Sequence, residues 1–273
     1  MKIQYTSLFL LLLALPATAQ INCNVYKWSG DSACYRACQV YDFANQMAQG
    51  SRASQILCDS VIAICPNFDR AYLTKSIPYL KRGDFIQWRI WIDQAVALNP
   101  KEHLGYRGWC RYQFLRDYIG ALADWEALEK MNPEQLGYSA NGDYHLEIAK
   151  ALCYKGLGQK EKAIQILEKQ LAKPNYEPGF YDYLHLAVLK IEMGKPQEAI
   201  PILEKQLTLS AGFAETHYYL ALAYKYLQQR PQMRENLALA QQFYQAGRHR
   251  SDPYSQPDDR IYREDLEKAL ADW

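Results

Sequence analysis

The side chains best suited to chemistry in this sequence are its five histidines and seven cysteines. The histidines are spread along the chain rather than gathered, and they are His103, His145, His185, His217 and His249. This spacing is more typical of surface or groove-lining residues than of a catalytic set. The sequence contains no Gly-rich phosphate loop, no His-Glu-x-x-His and no Gly-x-Ser-x-Gly. We therefore expect a protein that is not an enzyme and that uses no cofactor.

The charged residues indicate which partners to expect. Acidic and basic side chains mostly alternate at helical spacing, as in Glu161-Lys162 and Glu204-Lys205, which is typical of a solvated helix face. The formal net charge is only +1, so the chain has no electrostatic preference for nucleic acid or for an anionic membrane. The expected partner is a protein or peptide of the cell envelope, and the oligomeric state is left open.

Residues 1–19 have the pattern of a secretory signal peptide. Lys2 precedes a short apolar run, and Ala17-Thr18-Ala19 is a small-x-small cleavage site. The run is too short to span a bilayer, so we expect no stable membrane insertion. The predicted location is periplasmic or extracellular, as for a bacterial protein secreted across the inner membrane. Cys23 lies close enough to the cleavage site to leave a lipidated form open.

A duplicated hexapeptide indicates which structural units position these residues. Ile-Leu-Glu-Lys-Gln-Leu occurs at Ile166–Leu171 and again at Ile202–Leu207, 36 residues later. Gly158 and Gly194 precede the two copies at the same offset. A repeat this close predicts an array of short units, each of which must stack on its neighbours to bury its apolar face.

Three prolines extend this period towards the N-terminus. Pro66, Pro100 and Pro133 are 34 and 33 residues apart, and each follows a helical apolar pattern. Because proline cannot continue a helix, each unit is predicted to be two helices joined by a turn. We predict an N-terminal extension at 20–34 and hairpins at about 35–68, 69–101, 102–135, 144–179, 180–213 and 214–247. Residues 135–143 are a predicted insertion. Residues 248–273 are a predicted polar loop and a C-terminal helix, 260–271, which Asp258 is expected to cap.

Four cysteines fall in or beside the first hairpin, and a secreted protein permits disulfides. Cys38 and Cys58 are equally far along the chain from the middle of that hairpin, and Cys34 and Cys65 are nearly so. The sequence therefore predicts the bonds Cys38–Cys58 and Cys34–Cys65. A zinc site is the alternative, but zinc ligands usually come in closer Cys-x2-Cys pairs, so no metal is expected.

The remaining cysteines have less definite roles. Cys23 is predicted to be the odd thiol, or else the partner that displaces Cys34. Cys110 and Cys153 are isolated in helical patterns, where cysteine usually packs as a small core hydrophobe.

The repeats resemble the tetratricopeptide repeat, which places small residues where its two helices cross and aromatic residues around them. The copies that carry this pattern best contain Leu186-Ala187 with Ala199, Leu220-Ala221 with Tyr224, and Ala151 with Tyr154 and Ala163. The first copy matches least, since Asp42 and Ser54 occupy its crossing sites. The resemblance implies an all-α fold, a right-handed α-solenoid of about six hairpins. Some other α-hairpin solenoid is the alternative.

The resemblance also implies a binding groove, because the first helices of such hairpins line a concave face. Carried over copy by copy, the groove residues are Arg70, Leu73, Ile77, Tyr106, Arg107, Ile148, Leu152, Lys155, Leu184, His185, Val188, Tyr218, Leu222 and Lys225. Some members clamp a carboxylate with Lys and Asn, but the corresponding sites here are Leu, Tyr, Ile and Cys110. About half of these side chains are expected to pack between hairpins instead.

Composition, repeats and resemblance together predict a non-enzymatic scaffold of the cell envelope that binds a peptide or partner segment in its groove. One alternative is a structural subunit of an outer-membrane or secretion complex. Another is an enzyme whose site lies in the 135–143 insertion or in the C-terminal loop.

Overall fold

A computed structural model describes residues 21–133 and 136–273, and the predicted signal peptide lies outside them. The fold is an all-α solenoid of helical hairpins, as predicted. Within the described ranges no helix is long and apolar enough to cross a membrane. The helices are α1 Asn24–Trp28, α2 Ser32–Gln46, α3 Arg52–Ile64, α4 Asp69–Lys81, α5 Phe85–Leu98, α6 Pro100–Cys110, α7 Tyr118–Met131, α8 Leu146–Gly156, α9 Lys160–Leu171, α10 Asp182–Glu192, α11 Pro196–Leu209, α12 Ala214–Tyr226, α13 Arg230–Gln245 and α14 Arg263–Asp272, with a π-helical turn at Arg111–Leu115.

The chain divides into two compact units, and the first ends at Ala71. In this unit α2 and α3 form a hairpin whose core includes Ala37, Tyr41, Val61 and Phe68. The ring centroids of Tyr41 and Phe68 lie 5.1 Å apart, so aromatic packing contributes to this core. Ser54 is buried between the two helices, and its hydroxyl donates to the Ala44 carbonyl at 3.4 Å.

Two disulfides join the elements of the first unit. Cys34 is bonded to Cys65 with a Cα separation of 5.0 Å, which is one of the two predicted pairs. The other prediction, Cys38–Cys58, is wrong, because Cys38 is bonded to Cys23. The short helix α1 packs against α2 and brings Cys23 to a Cα distance of 5.6 Å from Cys38. Cys58 is buried in α3 and lies outside both bonds.

The second unit runs from Tyr72 to Trp273 and contains α4 from Tyr72 onward, α5, and the hairpins from α6/α7 to α12/α13. Small residues let the helices of these hairpins cross closely. Ala187 and Ala199 are fully buried in the core that α10 and α11 share. Gly108 faces Trp125 so closely that a Cβ atom there would lie 2.5 Å from the indole nitrogen. The sequence pattern of small and aromatic residues is therefore a packing pattern.

The turns of the duplicated units have the geometry that their glycines allow. Gly158 and Gly194 have φ angles of +75° and +72°, which residues with a side chain rarely adopt. Each follows the end of a first helix, where a left-handed residue satisfies the last carbonyl groups. The shared glycine offset in the sequence thus reports a shared turn.

The C-terminal helix begins later than predicted. It spans Arg263–Asp272, and the backbone N–H of Tyr262 donates to the Asp265 carboxylate at 2.8 Å. Leu266 and Ala269 pack with Met233 and Leu237 of α13, so the helix covers the apolar face of the last hairpin. Asp258 does not cap it, because the Asp258 carboxylate is held by side chains of the third hairpin.

Candidate functional site

The structure distributes the predicted groove residues between core and surface. Five of them are buried, namely Ile148, Leu152, Leu184, His185 and Val188. Eight more are partly buried, namely Leu73, Ile77, Tyr106, Arg107, Lys155, Tyr218, Leu222 and Lys225. Arg70 is exposed and belongs to the first unit, whereas all the others belong to the second. The face of the second unit on which they lie is the candidate site.

Much of this face is covered by the chain itself. We call residues 248–262 the C-terminal strap, since they link α13 to α14 by passing over the first helices of earlier hairpins. Gln113 donates to the Ser255 hydroxyl oxygen at 2.6 Å, across 142 positions of sequence. Tyr112 donates to Asp258 at 2.5 Å, and Arg116 donates to the other oxygen of Asp258 at 3.1 Å. Polar side chains between α6 and α7 thus hold the strap against the third hairpin.

The next strap residue, Asp259, enters a buried cationic site. Its carboxylate contacts the Lys155 ammonium, and the Nδ1 atom of His185 lies 2.6 Å from its second oxygen. Burial alone would raise the pKa of Asp259, but Lys155 and His185 together hold that pKa far below its usual range. Glu192 also contacts Lys155, at 3.1 Å. Asp259 is therefore an ionised carboxylate at neutral pH.

A second network fixes the protonation of His185. The Arg250 guanidinium lies 3.1 Å from the Nε2 atom of His185, and because arginine only donates, Nε2 must be an acceptor. The proton of the neutral ring is then on Nδ1, where it is donated to Asp259. Arg250 also donates to the Tyr144 hydroxyl at 2.5 Å, and that hydroxyl is 2.9 Å from Nε2. Burial lowers the pKa of His185, which favours this neutral form despite Asp259.

Both ends of the strap are fastened to α12. One carboxylate oxygen of Glu215 accepts from the backbone N–H groups of Arg250, at 2.9 Å, and Ile261, at 3.4 Å. The Arg248 carbonyl accepts from the backbone N–H of Ala214 at 2.9 Å. Burial raises the pKa of Glu215, although the N–H groups that donate to it work against that shift. The strap is therefore anchored to α12 at Arg250 and at Ile261, and we call residues 251–260 between these points the span.

The span crosses an irregular turn of the chain. Residues Arg111–Leu115 form a π-helical turn, and Arg116 follows it with φ +55° in the left-handed region. The turn supplies Tyr112 and Gln113, and its end supplies Arg116, so all three contact the strap from one distorted segment. π-helical turns and left-handed residues other than glycine are costly and are often found at functional sites.

The ends of the predicted groove are shaped by other contacts. Tyr218 packs against Trp273 with ring centroids 5.6 Å apart, and the Lys225 ammonium lies 4.4 Å from the Trp273 ring. Tyr106 lines a surface cavity together with Leu136, Gly137 and Leu146. Of the two tyrosines among the predicted groove residues, Tyr218 therefore contacts the C-terminal segment, whereas Tyr106 borders an open cavity.

The network does not have the access that catalysis requires. Asp259, His185 and Tyr144 form a chain of hydrogen bonds like those used in acid–base relays, yet His185 is 0% exposed. A substrate has no approach to the ring in this arrangement. No three His, Cys, Asp or Glu side chains within 21–133 and 136–273 are grouped as metal ligands. What this arrangement can do is bind carboxylates.

Sequence reasoning missed most of the residues that hold the strap. The missed residues are Tyr112, Gln113, Arg116, Tyr144 and Glu215, together with Arg250, Asp258 and Asp259 of the strap itself. The one available signal was the adjacent Asp258-Asp259 pair inside a polar, proline-punctuated loop, which was interpreted as the start of a helix. Its partners are distant in sequence, and no local pattern identifies them.

Comparison with known proteins agrees with this architecture. A family model described as tetratricopeptide repeat matches residues 148–172 and 183–213. No curated protein matches the sequence significantly. The chain therefore has the fold of tetratricopeptide repeat proteins, and residues 148–172 and 183–213 match the repeat itself. Arrays of this kind form protein-interaction scaffolds.

Three solved structures show the same fold. PilW, described as a widely conserved type IV pilus biogenesis factor, is 17% identical with a TM-score of 0.63, over 86% of this chain and 98% of PilW. A tetratricopeptide repeat protein from Parabacteroides merdae is 14% identical with a TM-score of 0.53, over 91% and 94% of the two chains. Cut9 in the Cut9–Hcn1 hetero-tetramer of the APC/C is 13% identical with a TM-score of 0.58, over 91% of this chain and 46% of that chain.

Proposed function

We propose that this protein is a non-enzymatic scaffold of the cell envelope that holds a non-helical segment of a partner protein on the face that the strap covers. One observation carries the proposal: a non-helical segment of the chain itself already lies there, with bends at 253–255 and a turn at 258–259, and side chains of the third, fourth and fifth hairpins hold it. A surface that binds one such segment through its side chains has donors that can bind another.

The proposed location rests on two features of the chain. Residues 1–19 have the composition of a secretory signal peptide. The first unit contains two disulfides, which persist in oxidising compartments such as the periplasm. Both features favour a protein that acts outside the cytoplasm.

The proposal is tested by capture of a partner from an envelope extract with matched alanine variants. Gln113 contacts the strap through the Ser255 hydroxyl, so Gln113→Ala is expected to weaken capture and to change the melting temperature less than Leu184→Ala does. Leu184 is 0% exposed in a core cluster, so Leu184→Ala is expected to lower stability by about 2–5 kcal/mol. Unchanged capture by folded Gln113→Ala would contradict binding on the strap-covered face.

A second candidate function is a subunit of a larger envelope assembly, and exposed isoleucines favour it. Ile86 and Ile90 lie one turn apart on α5 with 80% and 50% of their surfaces exposed, and Ile119 on α7 is 71% exposed. Large exposed apolar side chains on second helices are available for lateral contacts. Replacement of Ile86 and Ile119 by Glu is expected to abolish co-purification with such an assembly and to leave capture through the strap-covered face intact.

A further inference from the structure

We infer that the partner segment carries two adjacent carboxylates, and that Asp258 and Asp259 occupy its place until such a segment displaces them. This inference rests on the proposed function and names the chemistry of the partner. The receiving residues, which we call the acid-binding face, are Tyr112, Gln113, Arg116, Lys155 and His185. All five belong to the second unit.

The acid-binding face has two carboxylate sites one residue apart along the strap. In the outer site, Tyr112 and Arg116 donate to different oxygens of Asp258, and the Asp258 side chain keeps 22% of its surface exposed. In the inner site, Lys155 and His185 likewise contact different oxygens of Asp259, whose side chain is 5% exposed. Each site therefore matches a planar group with two acceptor oxygens.

The ligand of this face must include peptide backbone as well as charge. Arg116 donates to the Gln256 carbonyl in addition to the Asp258 carboxylate, so its guanidinium spans a main-chain acceptor and a side-chain acceptor. Gln113 reaches the Ser255 hydroxyl three residues before Asp258. Free anions satisfy only some of these donors. A segment that turns at an acidic pair and has a small polar residue three positions before it satisfies all of them, since residues 258–259 form a turn in which Asp259 has φ +59°.

Residues 251–256 of the strap lie mostly at the surface, next to the acidic pair that the face binds. Ser251, Pro253 and Gln256 are exposed, and Tyr254 is 52% exposed. Glu215 binds the backbone at Arg250 and Ile261, so the strap can remain tethered while the span between these points is exchanged. The tethered strap competes with a partner segment for the acid-binding face at a high effective concentration. The strap therefore lowers the apparent affinity of the intact chain for the partner segment.

A labelled peptide with the sequence of residues 255–261, Ser-Gln-Pro-Asp-Asp-Arg-Ile, tests the inference in fluorescence anisotropy titrations of the full mature chain. Asp258→Asn removes the carboxylate from the competing strap but leaves the receiving residues unchanged. It is therefore expected to bind this peptide about tenfold or more tightly than the parent does, since hydrogen bonds to charged groups carry effects of this size. The matched peptide with Asn-Asn in place of Asp-Asp is expected to bind at least tenfold more weakly.

The variant Arg116→Gln in the Asp258→Asn background is expected to abolish the gain. Equal binding of the two peptides, or no gain in the Asp258→Asn chain, would overturn the inference. If Asp258→Asn does not fold, Ser255→Ala carries the same comparison, because it removes only the contact with Gln113. Capture of an envelope partner that is insensitive to Arg116→Gln would overturn this inference and leave the scaffold function standing.

Discussion

The sharpest consequence of the structure concerns Asp259→Asn. This change keeps the shape of the side chain and an acceptor for His185, but it removes the negative charge beside Lys155. Breaking a buried ion pair by removing one partner costs about 3–5 kcal/mol. Lys155 retains Glu192 at 3.1 Å, so we expect the lower end of this range, about 3 kcal/mol.

A loss of about 3 kcal/mol corresponds to a fall of roughly 6–12 °C in melting temperature for a chain of this size. Circular dichroism melts of the mature protein measure it, with Asp272→Asn as the control, since Asp272 is an exposed residue of α14. Combining Asp259→Asn with Lys155→Met is expected to cost clearly less than the sum of the two single changes, because the residues are in contact. An Asp259→Asn melt within about 2 °C of the control would refute the reasoning.

Three further results are expected. Mass spectrometry of the non-reduced chain should link Cys23 to Cys38, and a Cys38–Cys58 peptide would contradict the structure. Ala199→Trp should lower stability by about 1–3 kcal/mol or more through overpacking, and a parental melt would contradict the assigned crossing. The pKa of His185 is below its ordinary value in the folded chain, so on acidification the unfolded chain binds a proton at this residue first. The free energy of unfolding is therefore expected to decrease as the pH is lowered through about 6.5. His185→Gln should therefore lose less stability than the parent between about pH 7 and 5 in denaturant titrations, and equal losses would contradict this.

The parent must be compared with His185→Gln because protonation of other buried groups changes the stability in the opposite direction. Burial raises the pKa values of Asp182 and Glu215, so their folded forms take up protons more readily than the unfolded chain does. Acidification through these groups adds stability in parent and variant alike. The difference between the two proteins therefore reports His185.

The repeat architecture was predictable because its signals are local. The duplicated phrase falls on α9 and α11, and its shared glycines give shared turns. Small residues such as Ala187 and Ala199 lie at the hairpin crossing as the pattern requires. Each of these signals lies within one repeat or recurs at the same position of the next repeat.

The features that the sequence did not predict depend on distant contacts. Asp258 meets Tyr112 across 146 positions, and Asp259 meets His185 across 74. The pairing of Cys38 was mispredicted for a similar reason. The prediction considered only spacing within the hairpin, whereas α1, which lies outside the hairpin, brings Cys23 to Cys38. Periodicity identifies the helices of a repeat array, but it does not say where a non-repetitive segment lies on them.

The most direct test of the central claim is hydrogen–deuterium exchange of the mature chain with and without a saturating amount of the Asp-Asp peptide. The account predicts that the backbone amides of residues 251–258 exchange faster than those of α10 in the free chain, and faster still once the peptide occupies the acid-binding face. Strap amides that exchange as slowly as α10 and do not respond to the peptide would show that the strap is a permanent part of the core.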